Sequence, residues 1–88
     1  MNKCLKITVS VDPIEGYLHS VVQPQARKFD LEGMVKPLSE NQVSIIVCGK
    51  KEQVDAFVDF LQKEAVSDVE IEPFVKDKDY RGVFRVIA

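Results

Sequence analysis

The chain has 88 residues, of which 45% are apolar and 30% charged, and its net charge is −2. That balance fits one compact domain spanning residues 1–88 and excludes a disordered chain. Lys and Arg are scattered rather than clustered, which disfavours a nucleic-acid partner or a membrane-surface role. The first predicted element is KCLKITVS. Leu5, Ile7 and Val9 alternate with Cys4, Lys6, Thr8 and Ser10, the pattern of a half-buried strand. A turn from Asp12 to Gly16 follows. Leu18, Val22, Ala26 and Phe29 then recur at helical spacing. Pro24 suits only the first turn of a helix, so the helix is expected to begin near Ser20 or later, with Ser20 a candidate cap.

LEGMVKPL reads as a second strand. SENQ reads as a hairpin connection, in which Asn41 is suited to the left-handed conformation of a tight turn. QVSIIVCG is a third strand with Val43, Ile45 and Val47 on one face. KEQVDAFVDFLQKEA is the clearest helix, because Val54, Phe57, Val58 and Leu61 fall at i, i+3, i+4 and i+7. In SDVEIEPFVK, Val69 and Ile71 alternate with Glu70 and Glu72, and Pro73 marks an edge or a bulge. DKDYRG is a turn. VFRVIA is a short last strand.

The order β-α-β-β-α-β plus a short C-terminal strand predicts an α+β fold. It is the ferredoxin-like sandwich, an antiparallel sheet with both helices on one face and strand order 4-1-3-2. Cys4 and Cys48 form no C-x-x-C pair, and with one His in the chain no local zinc set can be assembled. No metal and no cofactor are expected. The two cysteines share the outward parity of neighbouring strands, so a bond between them is conceivable. The N-terminal stretch is too polar for a signal peptide and no run reaches membrane-spanning length. A cytoplasmic setting is therefore expected, and it favours free thiols.

Many unrelated functions use this fold. The runs QPQARKFDLEGMVK and SENQVSIIVCG, the helix VDAFVDFL and the late FRV point further. Together they resemble the acylphosphatase family over nearly the whole chain. The resemblance rests on Ala26, Leu31, Gly33, Val35, Val43, Gly49, Phe57, Leu61 and Phe84, most of them scaffold positions. It implies hydrolysis of acyl phosphates. In that family, backbone N–H groups of the first loop cradle the phosphate, an Arg at the end of the loop completes the cradle, and an Asn on the second strand positions the attacking water. Such donors bind the anion and stabilise charge growing on the phosphoryl oxygens.

Carried onto this chain, the catalytic positions do not hold those groups. Counting back from Ala26 places the family's Arg on His19, or on Ser20 if the loop slides by one. Between Ile7 and Ala26 there is no Lys or Arg in any register. Counting forward from Gly33 places the family's Asn on Pro37, which cannot serve in its role. Within the loop, Pro13 has no N–H to donate, and only Gly16 remains of the family's glycines. Asp12 and Glu15 oppose an anion: two like unit charges about 4 Å apart repel by roughly 4 kcal/mol at an effective dielectric of about 20. A neutral imidazole does not replace a permanently charged guanidinium fork.

The leading expectation is an acylphosphatase-like domain that is catalytically inactive and acts as a binding or regulatory module. Its partner would be a protein or a small molecule, with phosphate or acyl phosphate held weakly at most. Glu15, Gly16, Tyr17, Leu18, His19 and Lys36 are the candidate ligand-binding residues. For each there is a plainer assignment: Tyr17 and Leu18 pack, His19 is a polar residue at the helix entry, and Lys36 is a solvated strand residue. Glu70 and Glu72 form a solvated strand face rather than a carboxylate dyad. The alternative is an active acylphosphatase that uses His19 and Lys36. A second alternative is a ferredoxin-like small-ligand regulatory domain. An RNA reader is disfavoured because Cys4, Lys6, Thr8, Ser44, Ile46 and Cys48 provide no aromatic stacking platform.

Overall fold

A computed structural model of the chain describes residues 2–10, 21–63, 68–74 and 82–87. Five strands, β1 (Asn2–Ser10), β2 (Glu32–Ser39), β3 (Gln42–Lys50), β4 (Asp68–Pro73) and β5 (Phe84–Val86), form one sheet in the order β4-β1-β3-β2-β5. The helices are α1 (Gln23–Lys28) and α2 (Lys51–Lys63). The four longer strands pair antiparallel, as the alternation implied, while β5 joins β2 in parallel. Inward-facing Ile7, Val9, Val35, Val43, Ile45, Val47 and Phe84 share one core with Val22 just ahead of α1, Ala26 of α1, and Val54, Phe57 and Leu61 of α2. Both helices therefore cover the same face of the sheet.

Three local expectations are corrected. The residue capping α1 is Val22, which makes no side-chain capping bond; Ser20 lies outside the described residues. Pro24 does occupy the first turn, where its missing N–H would have had no helical partner. Asn41 is not left-handed, since Asp30 is the only non-glycine with positive φ among the described residues. The β2–β3 connection is instead accommodated by a register shift between Pro37 and Ser39. Ser39 braces it, its hydroxyl donating to Asn41 Oδ1 (3.1 Å) and accepting from the Asn41 N–H (3.5 Å).

The third correction concerns the cysteines, which are joined by a disulfide rather than free. Register explains why. Cys4 stands directly opposite Cys48, and the Phe74 N–H donates to the Cys4 carbonyl (3.3 Å). The backbone groups of Cys4 thus turn toward β4. The Cys4–Cys48 pair is then of the non-hydrogen-bonded kind, in which facing side chains come closest. Their Cα atoms are 4.1 Å apart.

Helix α1 ends in a paired-carbonyl stop. The Leu31 N–H reaches back to Ala26 O (2.9 Å) and the Asp30 N–H to Arg27 O (3.0 Å), a Schellman arrangement whose penultimate residue must be left-handed. Asp30 fills that place at φ 57. Because a side chain there is disfavoured relative to glycine, Asp30→Gly is expected to stabilise the domain by roughly 0.5–1 kcal/mol in urea titration.

Candidate functional site

The region to which sequence reasoning assigned the site lies between β1 and α1. Residues 11–20, among them Asp12, Pro13, Glu15, Gly16, Tyr17, Leu18, His19 and Ser20, are outside the described residues. The geometry around them is defined by Ser10, the last residue of β1, by Val21 and Val22 ahead of α1, and by β2. Val22 is fully buried, so the chain is within the core immediately before α1.

Register ties Pro37 to this region. Pro37 pairs with Val43, Val43 with Val9, and Val9 with Val69. Pro37 and the exit of β1 therefore sit in one row across the sheet, about 10 Å apart at two strand spacings. The structure thus brings the second-strand position to the end of the sheet from which the loop departs.

Pro37 also has a structural explanation. The Gly33 N–H donates to Val83 O (3.0 Å) and the Ile87 N–H to Val35 O (2.8 Å). Odd-numbered residues of β2 therefore turn their backbone groups toward β5. By the same alternation Pro37 turns that way, but β5 pairs no further than Val35. In a parallel ladder the bond after Ile87 N–H to Val35 O runs from the N–H of residue 37 to the Ile87 carbonyl; proline has no N–H to give, so the β2–β5 pairing ends at Val35.

Lys36, one residue away, projects from the opposite face. It lies across from Ser44 in the row Lys36–Ser44–Thr8–Glu70 and is exposed. Alternation thus separates the two candidate positions on β2, placing Lys36 on the face away from the helices.

Two carboxylates belong to the same end of the sheet. Asp68 stands directly opposite Ser10, and Glu70 opposite Thr8. Both are exposed. Glu72 is drawn off toward Lys6, with 3.9 Å between Lys6 Nζ and its Oε1, a solvated pair of little energetic weight. Asp68 was missed by sequence reasoning. Strand alternation shows which face a residue takes, but only the β1–β4 register shows that Asp68 flanks the exit of β1.

The resolved pKa shifts lie at the far end of β1. Asp55 on α2 is clasped by Lys3 Nζ (2.7 Å) and Lys51 Nζ (3.0 Å). Its hydrogen bonds to Lys3 and then Lys51 hold the carboxyl below its usual value, and the same bond to Asp55 raises Lys51. These groups are solvent-exposed and orient the start of α2 against β1.

Comparison with known proteins gives consistent results. A family model described as acylphosphatase matches residues 15–85. An acylphosphatase of Coxiella burnetii is 31% identical over 87 residues, covering 94% of this chain and 90% of that protein. A solved acylphosphatase structure from Coxiella burnetii superposes with a TM-score of 0.84 at 30% identity, over 98% of this chain and 93% of that one. The Bacillus subtilis acylphosphatase structure shares the fold over the full length of both chains, with a TM-score of 0.83 at 21% identity.

Proposed function

The chain belongs to the acylphosphatase family, and from that premise we propose that it is a catalytically silent member acting as a binding or regulatory module. The observation that carries this reading is the absence of any Lys or Arg from Ile7 to Ala26, the segment that has to supply the family's phosphate-holding cation. Two further features support it. Pro37 stands where the family has its water-positioning Asn. Asp12 and Glu15 lie in the loop sequence. A phosphoryl group held by that loop would meet their carboxylates and no permanent cation from the same segment, so charge developing on its oxygens in the transition state would not be stabilised. The fold is kept because the scaffold residues do not depend on the chemistry: Ala26, Val35, Phe57, Leu61 and Phe84 are all buried in the core.

The test is hydrolysis of benzoyl phosphate by the purified protein, with calorimetric titration of inorganic phosphate alongside. The expected result is turnover indistinguishable from the uncatalysed rate and no measurable phosphate binding. The variant His19→Arg/Pro37→Asn is expected to bind phosphate at most weakly, because Pro13, Asp12 and Glu15 still oppose it. Turnover well above background, abolished by His19→Ala, would overturn the proposal in favour of an active enzyme with non-standard groups. Tight phosphate binding by the double variant would show that the loop carboxylates carry less weight than assigned here.

A further inference from the structure

We propose that Cys4 and Cys48 are a reversible dithiol–disulfide couple, entered through Cys4, by which the stability of the domain follows ambient thiol redox conditions. Three features of the sheet lead to it. First, the couple needs no rearrangement to open or close. The β1–β3 register runs unbroken from Asn2–Lys50 to Ser10–Gln42, and that pairing holds the two sulfurs face to face in either state. Second, the reduced state is tolerated by its surroundings. Cys48 and Ile46 form a small apolar cluster on the outer face of the sheet, with Cys4, Met34 and Phe74 packed against it. Thiols behave there as small apolar groups. Third, the two sulfurs are not equivalent. Cys48 is 4% exposed, whereas Cys4 is half-buried, so an external reagent meets Cys4 first.

Closure by a low-molecular-weight disulfide such as glutathione disulfide then proceeds in two exchanges. The Cys4 thiolate attacks one glutathione sulfur, forming a mixed disulfide and releasing one glutathione thiolate. The Cys48 thiolate attacks the Cys4 sulfur, closing the protein disulfide and releasing the second glutathione. The two protons given up by the cysteines are taken up by the two departing thiolates. Two protein thiols are oxidised and one small disulfide is reduced. Opening by excess thiol retraces the same path through the same mixed disulfide.

The position of the couple determines what it controls. It ties the two central strands beside Lys3, which reaches Asp55 of α2, and beneath Phe74, which leaves β4 bonded to the Cys4 carbonyl. The bond spans 44 residues of sequence, so opening it frees a long loop in the unfolded chain.

The experiment equilibrates the full chain in glutathione buffers of graded composition, quenches exchange with acid, counts free thiols by alkylation in denaturant and mass spectrometry, and records thermal midpoints of the unquenched protein. In the oxidised buffer both thiols are expected to be protected. Dithiothreitol is expected to restore them and lower the midpoint by roughly 10–20 °C, with the pre-transition far-UV circular dichroism unchanged. Cys48→Ser is expected to trap a glutathione adduct on Cys4, while Cys4→Ser leaves Cys48 unmodified in the folded protein. Two alkylatable thiols persisting in excess glutathione disulfide would overturn the proposal. So would equal midpoints in the two states, or adducts forming equally on the two single variants.

Discussion

Gly33→Ala is expected to destabilise the domain by at least about 3 kcal/mol, a large share of the stability a domain of this size has. Gly33 sits in β2 at φ +142, and a Cβ built there would collide with the Ile46 carbonyl oxygen and lie 2.7 Å from its carbonyl carbon. Both atoms are backbone of the central strand β3, so relief requires the sheet to part rather than a side chain to turn. The conformational penalty adds to the clash, because L-residues rarely adopt that φ. Gly49→Ala is the matched control. Its added Cβ would meet the Leu31 Cδ2 atom at 2.7 Å, the tip of a side chain that can move, so a clearly smaller loss is expected. Urea midpoints of the two variants decide the matter. A loss below about 1 kcal/mol for Gly33→Ala would contradict the close approach of β2 to β3.

Phe84→Ala is expected to cost about 3–5 kcal/mol. The strand that carries Phe84 has three residues, too few to hold its place by pairing alone. Its attachment is the buried Phe84 ring, 2% exposed, together with the bonds joining Val83 and Ile87 to β2. Without the ring the core beside Ala26 and Val35 is left with a cavity, and β5 loses what anchors it. Hydrogen exchange of the Ile87 and Gly33 amides is expected to speed up more than that of β1 or β3, showing the edge opening ahead of the sheet. Arg85→Ala, at an exposed position between the two inward residues, is expected to stay within about 0.5 kcal/mol of the parent. Similar losses for the two variants would mean that β5 is held by its backbone alone.

The sequence made faces legible and left partners hidden. Ile7, Val9, Val43, Ile45 and Val47 announce an inward face by alternation, and Val54, Phe57 and Leu61 do so by helical spacing; all are buried. Pro24 correctly limits where α1 begins, because a ring without an N–H is tolerated in one place only. Alternation has period two, however, and repeats identically under a two-residue slide. It cannot say that Cys4 meets Cys48 or that Ser10 meets Asp68. Those pairings depend on connection geometry, including the irregularity between Pro37 and Ser39. Asp30 was passed over for a related reason: its backbone state is imposed by the helix stop and has no signature in side-chain pattern. At the site itself, the legible features were the missing cations and the proline at position 37. The sequence alone gives the solvent-facing place of Lys36 but not the row linking Pro37 to the exit of β1.

The missing amide of Pro37 bears on how copies of this molecule behave toward one another. Among the described residues nothing pairs with the outer edge of β2 beyond Val35, and Leu38 beside it is half exposed to solvent. An uncovered strand with an apolar residue alongside is a ready template for cross-β growth. An incoming chain that tried to extend the sheet there would find no donor at Pro37 and a ring in its path. At residue 37, then, the edge of β2 offers a neighbouring chain no N–H with which to pair.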